Sequence, residues 1–285
     1  TYELHQSFPE DWYDNSPGLW LNSITRRGFA PGDTTGTLQH KDGVSFAAYS
    51  VGPNSPLRAR LLDRQLPNLV PSGSNDQRPG FTRPRIGTVS TEYGGDLEVE
   101  YAGGCTSEPA EDKGRNNGTC FPLRWSPDDD EKTPAKSWFN KYVVHSVTET
   151  DKVTSHGKPV HTTYKYTDPA WAKSVDEFTR PALQTYSDWR GYRDVAVTKG
   201  SKSSSQQGDP QSQSYSVTRY FQGVGGAFKD STGTYTLVED DAPQYAGLTA
   251  ESITYLNSDK RVQQRTLNYP WSKQTASRAR EAETG

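Results

Sequence analysis

The chain has 285 residues, of which 31% are hydrophobic and 11% aromatic, and its formal net charge is −3. Low hydrophobicity with a high net charge is typical of disorder, but this charge is small and the aromatic rings can build a core. The near-neutral balance gives no electrostatic basis for binding nucleic acid, and no apolar run approaches the roughly 18 residues of a membrane span. We therefore predict a folded chain whose sheets have one dry face and one wet face.

The sequence contains no methionine, whereas roughly six would be expected at a typical usage of about 2%. An intact translation product would also begin with methionine. We therefore expect the chain to be a processed or excised piece of a longer protein, from which any signal peptide has been removed.

Alternating apolar and polar residues predict strands from the beginning of the chain. The first strands are expected at residues 20–25 and 44–49, and the clearest hairpin covers residues 85–101, RIGTVSTEYGGDLEVEY. Two consecutive glycines lie at its chain reversal, and glycine suits the positive backbone angles of tight hairpin turns.

The register of this hairpin can be predicted from its two faces. A two-residue turn at Gly94 and Gly95 would mix apolar and acidic side chains on each face. A three-residue loop, residues 94–96, pairs Tyr93 with Leu97 and collects the large apolar side chains on one face. We therefore predict the three-residue loop, with a glycine in the left-handed conformation.

The same alternation predicts three further hairpins. They join residues 141–150 to 160–166, 192–200 to 213–223, and 248–255 to 261–267. Helical patterns are sparse, and residues 169–184 begin with a proline and contain another, so at most a short helix is expected there. Strand pairs separated by polar turns predict an all-β fold, and the missing helices argue against a doubly wound α/β fold.

The domain organisation predicted from this pattern is simple. Residues 1–285 form a single all-β region, and the polar segment 200–214, GSKSSSQQGDPQSQS, is expected to be a flexible loop because of its composition.

The two cysteines, Cys105 and Cys120, enclose a polar segment rich in turn-forming residues. A redox or metal-binding pair is one interpretation, but two thiols without a nearby histidine make a poor zinc site. A disulfide that closes the surface loop 105–120 in a secreted protein is the interpretation that we favour.

The segment SDWRGY, residues 187–192, is the densest cluster of aromatic and charged residues. One interpretation is a platform for a sugar or peptide, with Trp189 and Tyr192 stacking on the ligand and Asp188 and Arg190 forming hydrogen bonds to it. The alternative is structural: Arg190 stacks on a ring at the start of a strand and a glycine makes the bend.

Oxygen ligands for Ca²⁺ are present in the acidic run Asp128, Asp129 and Asp130, which lacks the alternating spacing of a dedicated calcium loop. Asp240 and Asp241 allow the same interpretation. No Gly-x-Ser-x-Gly motif or other local catalytic signature occurs. The sequence therefore predicts no catalytic residues, no resident metal and no cofactor.

Several stretches share a unit in which a strand ending in Thr and Tyr is followed by a polar turn and a return strand. The stretch ITYLNSDKRVQQRT resembles a degenerate Tyr-Asp repeat, the unit of RHS-repeat proteins. Others resemble the long secreted RHS proteins of actinobacteria: LWLNSITRRG, RPRIGTVSTEYGG, WFNKYVVHSVTETD, YSDWRGYRDVAV and NYPWSKQTASR. Together they extend over residues 19–278, with patchy similarity between residues 29 and 79.

The RHS family includes wall-associated bacterial proteins, the C subunits of insecticidal toxin complexes and the teneurins. The resemblance implies strands wound into a spiralling sheet, which in the family forms a hollow shell around a C-terminal toxin or effector domain. It also implies a scaffold role without catalysis in the shell. The repeat is weak in this sequence, and the conserved-looking core of the self-cleaving end of such shells is not evident.

We therefore expect an all-β fold of antiparallel hairpins side by side in a curved or spiralling RHS-like sheet, with a β-sandwich or propeller as the alternative. The expected function is that of a secreted or cell-wall-associated scaffold that holds a partner polypeptide or an enclosed toxin or effector domain. The alternatives are a carbohydrate- or protein-binding β module, with a surface glycan as ligand, and an extracellular hydrolase.

Overall fold

A computed structural model describes most of the chain. The described residues are 1–8, 19–38, 43–48, 66–73, 76, 78, 80–109, 118–126, 134–154, 158–175, 179–200, 213–256 and 261–277. Within these ranges the chain forms sixteen strands and two single-turn 3₁₀ helices, Pro181–Leu183 and Pro243–Tyr245.

The strands follow the alternating segments of the sequence. The first eight are β1 (Tyr2–Ser7), β2 (Trp20–Gly28), β3 (Thr37–Leu38), β4 (Val44–Ala48), β5 (Ile86–Ser90), β6 (Gly95–Gly103), β7 (Cys120–Trp125) and β8 (Ala135–Asn140). The second eight are β9 (Tyr142–Asp151), β10 (Val160–Ala172), β11 (Asp188–Lys199), β12 (Ser214–Tyr220), β13 (Phe228–Lys229), β14 (Thr236–Val238), β15 (Thr249–Tyr255) and β16 (Val262–Leu267).

One large antiparallel sheet organises the described residues. Its strand order is β1-β2-β4-β5-β6-β9-β10-β11-β12-β15-β16, with β3 paired to β2 beside this path, and it does not close into a barrel. Two small hairpins, β7–β8 and β13–β14, form separate two-stranded sheets. The prediction of an all-β fold built from antiparallel hairpins is confirmed.

The order of the strands is almost the order of the sequence, because most neighbours are joined as local hairpins. All three later hairpins occur at the predicted places, as β9–β10, β11–β12 and β15–β16. The chain leaves the large sheet after β6 and after β12 to form the two small hairpins, and it returns beside the strand that it left. The predicted loop 200–214 lies between β11 and β12, and its residues 201–212 lie outside the described part of the chain.

The predicted register of the β5–β6 hairpin was wrong, because the loop lies two residues earlier in the chain than predicted. The loop has the predicted three residues, but it is formed by Glu92 to Gly94, and Val89 pairs with Leu97. Asp96 is therefore part of β6, where it is buried and forms an ion pair with Lys152. The shift preserves the predicted faces, since it moves the pairing by an even number of residues, and Gly94 has the predicted left-handed conformation with φ of +84°.

The helix considered within residues 169–184 is mostly absent. Strand β10 continues through Pro169 to Ala172, and among the described residues of the segment only Pro181–Leu183 form a single 3₁₀ turn. Proline lacks a backbone N–H and is tolerated where a strand has a free edge. This condition holds at Pro169, because β10 pairs with β9 only between Val160 and Thr163.

The two faces of the large sheet differ in composition from β2 to β11. One face, which we call the apolar face, carries valine, tyrosine and other apolar side chains that the register places side by side. Its members are Ile24, Val44, Phe46, Val89, Leu97, Val99, Val147, Tyr164, Tyr166, Val195 and Val197. The opposite face is rich in Ser, Thr and Glu.

The buried side of the sheet changes near its C-terminal end. Val217, Ile253 and Leu267 lie on the continuation of the polar face, and Leu267 packs against the core beside the β13–β14 hairpin. A compact core results, consisting of Phe221, Phe228, Leu237 and Ala250 with partly buried Val238, Tyr245 and Leu267 around it. One of the two hydrophobic core clusters of the described residues therefore lies at this end of the sheet, and the other surrounds Cys120 and Trp138.

Candidate functional site

The predicted platform SDWRGY forms the beginning of β11. Trp189 packs against Trp171 with ring centroids 4.6 Å apart and against Tyr192 at 5.1 Å. The ammonium group of Lys141 lies 5.4 Å above the Trp189 ring. The rings of Trp189 and Tyr192 are thus largely covered by neighbouring side chains of the same chain.

The platform belongs to a longer row of aromatic rings. Among the described residues, nine rings follow one another with centroid separations of 4.6 to 6.4 Å: Phe81, Trp125, Phe139, Phe121, Trp171, Trp189, Tyr192, Tyr166 and Tyr164. Such offset and edge contacts stabilise the packing beyond the burial of ring area. The row connects the β7–β8 hairpin to the large sheet.

Burial raises the pKa of two phenol groups in this row, those of Tyr166 and Tyr192. Burial raises the pKa of Tyr166 to about 12, with a further increase from the neighbouring phenols of Tyr164 and Tyr192. The Tyr166 hydroxyl donates a hydrogen bond to the Val144 carbonyl oxygen at 2.8 Å. The ring of Tyr166 therefore contributes packing surface rather than an ionisable group.

The charged members of the platform pair with each other. An Nη atom of Arg190 lies 2.7 Å from the Asp188 carboxylate. The pairing of β10 with β11 shifts register at this point, where Ala170 pairs with Gly191 and Trp171 with Trp189. Gly191 has a φ of +86°, so it supplies the bend that the structural interpretation of this segment requires. The packing favours that interpretation.

Beside the bend, a cleft of about 270 Å³ opens between β10, β11 and the segment after β12. Its polar groups come from Asp168, Arg193 and Gln222, and its apolar wall comes from Pro169, Ala170, Trp171 and Val224. Asp168 has a φ of +51°, which is uncommon for a residue other than glycine and turns its side chain out of the strand alternation. The cleft therefore brings together a carboxylate, a guanidinium group and an amide that are far apart in the sequence.

Gln222 is the most constrained polar residue of this cleft, with a relative exposure of 2%. Its amide nitrogen donates hydrogen bonds to the carbonyl oxygens of Asp168 at 2.8 Å and of Gly191 at 2.9 Å. Its backbone N–H donates to the Asp241 carboxylate. These bonds fix the orientation of the side chain, so the amide oxygen points away from the two strands.

Arg193 and Asp168 form the exposed rim of the cleft. Their closest charged atoms are 3.7 Å apart, and the two side chains are 42% and 63% exposed. The guanidinium group also lies over the Phe228 ring, and its Nε is buried without a hydrogen-bond partner in the structure. An exposed ion pair of this kind contributes little stability and can exchange partners readily.

One feature of the sequence indicates an irregular backbone at this cleft. The dipeptide Asp168-Pro169 lies inside the alternating segment VHTTYKYTDPAW, and an Asx-Pro pair is typical of a turn or an irregular backbone. Arg193 and Gln222 are distant in sequence from it, and only the pairing of β10 with β11 and the turn after β12 bring them together.

The predicted disulfide between Cys105 and Cys120 is confirmed. Cys120 is buried, and together with Val70 and Trp138 it forms a small core against which Cys105 packs. The backbone N–H of Cys105 donates to the side-chain oxygen of Asn140 at 2.7 Å. The disulfide thus ties the segment after β6 to the β7–β8 hairpin.

Replacing Cys105 and Cys120 together by alanine is expected to lower the free energy of unfolding by about 3 kcal/mol, because the unfolded chain regains the entropy of an open loop. The two cysteines are 15 residues apart in sequence. Urea unfolding of the oxidised protein and of the double variant measures the difference. Mass spectrometry that found two free thiols in the purified protein would contradict the prediction.

The predicted calcium ligands Asp128, Asp129 and Asp130 lie outside the described residues. Within the described ranges, no three His, Cys, Asp or Glu side chains are grouped as they would be around a metal ion. Asp240 and Asp241 accept hydrogen bonds from the backbone N–H groups of Gly226 and Gln222. They organise the turn after β12.

The histidines in the described ranges lie on strands rather than in a cleft. The Nδ1 atom of His161 lies 2.7 Å from the Thr148 hydroxyl on the polar face, and Nε2 of His5 lies 3.1 Å from the Thr25 hydroxyl. The residues that line the cleft beside Gly191 include no histidine. This arrangement does not favour the hydrolase alternative.

Comparison of the chain with protein-family models, with curated proteins and with solved structures gave no match. In the part of the chain that the structure describes, no helix has the length and apolar character needed to cross a membrane. The function must therefore be argued from the geometry of the sheet and the cleft.

Proposed function

We propose that this protein is a secreted, RHS-shell-like scaffold whose sheet is a wall that holds or presents another polypeptide, without catalysis of its own. The observation that carries the proposal is the apolar face of the large sheet. None of the side chains that define this face belongs to the two buried cores of the described residues.

The size of the apolar face supports a binding role. It extends over seven neighbouring strands, from β2 to β11, whose first and last axes are about 29 Å apart at the usual strand spacing of about 4.8 Å. A monomeric protein rarely exposes contiguous apolar surface beyond a few hundred Å², and a larger patch usually marks an interaction site. A covering layer would remove this surface from water.

The side chains of the face suit a polypeptide partner. Tyrosine is enriched at protein interfaces because its ring buries a large apolar area while its hydroxyl remains hydrogen-bonded. Tyr166 already has this arrangement, since its hydroxyl is bound to the Val144 carbonyl oxygen. Valine on neighbouring strands adds the pleated surface on which a second β layer packs at a distance of about 10 Å.

The proposed extracellular location has two supports. A disulfide joins Cys105 and Cys120, and disulfides persist mainly in oxidising compartments. The second support is the resemblance of several stretches to secreted RHS proteins, which also suggests an enclosed toxin or effector domain as the partner.

A photo-crosslinking residue at position 97 tests the proposal, because Leu97 is 37% exposed on the apolar face. The same residue at position 98 is the matched control, since Glu98 is the next residue of β6 and points to the opposite face. In the natural producing cells, we expect position 97 to form an adduct with one polypeptide, identified by mass spectrometry, and position 98 to form none. Equal crosslinking from both positions, or none from position 97, would contradict the proposal.

The variant Val99→Asp provides the second arm of this experiment. Val99 lies beside Val147 on the apolar face, and burying an unpaired carboxylate under a partner is costly. We expect the adduct at position 97 to disappear in this variant, while the circular dichroism of the protein stays unchanged. Persistence of the adduct would show that the contact at position 97 does not depend on burial of the apolar side chains around it, which would contradict the proposal.

A further inference from the structure

The cleft beside Gly191 carries an inference that does not depend on the proposed scaffold role. We propose that the cleft formed by Asp168, Arg193, Gln222 and Trp171 is a binding site for a neutral sugar unit of a glycan. The nearby SDWRGY rings, which the sequence singled out for this role, are engaged in packing. The site therefore lies next to the predicted platform rather than on it.

The first support is the amide of Gln222, which its hydrogen bonds hold in one orientation. Gln222 is 2% exposed and lines the cleft. Both N–H groups of its amide are used by the carbonyl oxygens of Asp168 and Gly191, so its amide oxygen faces the opposite direction. An amide oxygen held in a fixed direction can accept a hydrogen bond from a ligand hydroxyl with little loss of side-chain freedom on binding.

The second support is the guanidinium group of Arg193. Its Nε is buried and has no hydrogen-bond partner in the structure, and its contact with the Asp168 carboxylate is long at 3.7 Å. The cleft thus presents a donor in Arg193 beside two acceptors in Asp168 and Gln222. All three side chains are held by different segments of the chain, which converge only here.

This arrangement favours a hydroxylated ligand. Each sugar hydroxyl can donate one hydrogen bond and accept others, so neighbouring hydroxyls can satisfy an arginine and a carboxylate together. The ion pair has no net charge, which favours a neutral sugar over an acidic one. The volume of about 270 Å³ is slightly below the roughly 300–1,000 Å³ typical of pockets for drug-sized ligands, so the cleft suits a single ring.

The apolar wall of the cleft completes the match. Pro169 and Val224 offer surfaces for the C–H groups of a sugar ring. Trp171 is 4% exposed and stacks on Phe121 with centroids 4.7 Å apart, so a sugar would meet the edge of its indole rather than its face.

The test uses nuclear magnetic resonance of the full chain labelled with ¹⁵N on tryptophan. The probes are maltotriose, cellotriose, xylotriose and chitotriose at millimolar concentrations, with triglycine as the peptide probe. We expect at least one trisaccharide to shift the indole N–H signal of Trp171 in a saturable way, while the signal of Trp271, which is 83% exposed, stays in place. If no trisaccharide shifts the Trp171 signal, or if only triglycine does, the proposal is wrong.

Two variants tie the binding to the cleft. Asp168→Asn keeps a residue type that tolerates the left-handed backbone and removes the carboxylate, and Arg193→Gln removes the guanidinium donor. Each is expected to weaken trisaccharide binding by about tenfold, as for the loss of one hydrogen bond to a charged group. Asp188→Asn is the matched control on the predicted platform and should change the affinity less than twofold, a factor within the usual error of binding measurements.

The binding data for these variants also distinguish a ligand bound in the cleft from a ligand bound on the SDWRGY platform. Binding that is lost in Asp188→Asn but retained in Asp168→Asn and Arg193→Gln would overturn the assignment to the cleft. Asp168 is exposed, whereas Arg193 also covers the Phe228 ring of the core. The circular dichroism spectrum and urea unfolding of each variant therefore verify that the fold is retained.

Discussion

Phe221→Ala is expected to lower the free energy of unfolding by about 3–5 kcal/mol, the usual cost of removing a buried phenylalanine ring. Phe221 has no solvent-exposed surface and lies at the centre of the core around the β13–β14 hairpin. Its ring centroid is 4.8 Å from that of Phe228 and 6.1 Å from that of Tyr245. Urea unfolding followed by circular dichroism measures the effect.

The matched control for this variant is Phe8→Ala. Phe8 is 63% exposed, so its truncation should change the free energy of unfolding by less than about 0.5 kcal/mol. A loss below about 1 kcal/mol for Phe221→Ala would mean that the core beside the β13–β14 hairpin does not limit the stability of the chain.

Glu251→Gln is expected to have an effect of similar size, about 3 kcal/mol, because removing one partner leaves buried charges incompletely compensated. The Glu251 side chain is fully buried, and its carboxylate contacts Arg219 at 3.0 Å and Arg265 at 2.5 Å. Arg265 also pairs with the buried carboxylate of Asp230, and Arg219 pairs with Asp194 at 2.9 Å. The same urea experiment measures the loss.

Glu149→Gln serves as the control for the charge network. Glu149 pairs with Lys199 at 3.5 Å, and both side chains are about half exposed. Solvent-exposed pairs contribute roughly 0–1 kcal/mol, so this variant should be nearly neutral. If both glutamate variants had equally small effects, the buried network would not be the source of stability that we infer.

The pH dependence of unfolding gives a second readout for Glu251. Burial alone raises the pKa of this carboxyl, but hydrogen bonds from Ser231, Arg219 and Arg265 outweigh burial and lower the pKa below its usual value of 4.5. A lowered pKa means that this contribution to stability is present above about pH 4.5 and is lost as the pH falls through the folded-state pKa. In Glu251→Gln, the acid-induced loss of stability should become smaller.

The β-hairpins are the part of the fold that sequence reasoning reached most directly. Hairpins such as β9–β10 join neighbouring segments, and the alternation within each segment identifies the strand, so local information suffices. The register of β5–β6 required more. A pairing between Asp96 and Lys152 draws Asp96 into the strand, and Lys152 follows a different strand, β9.

The candidate binding site was only partly accessible from the sequence. The SDWRGY segment lies at the right place in β11, but ring packing with Trp171 engages Trp189. The polar groups that converge on the neighbouring cleft come from residues 168, 193 and 222, which no short motif connects. Their proximity depends on the positive backbone angle of Asp168 and on hydrogen bonds from Gln222 across two strands.

The amino-acid sequence by itself predicted the strands of the longer hairpins, their antiparallel pairing and the pairing of the two cysteines, because each depends on alternation or spacing within a short segment. It did not predict β1, β3 or the short hairpins β7–β8 and β13–β14. Only the tertiary structure decided which side of the sheet is buried. The apolar side chains lie on one face up to β11 and the packed core lies on the other from β12 onward. A strand pattern defines two faces, but which of them is covered depends on elements distant in sequence, here the β13–β14 hairpin.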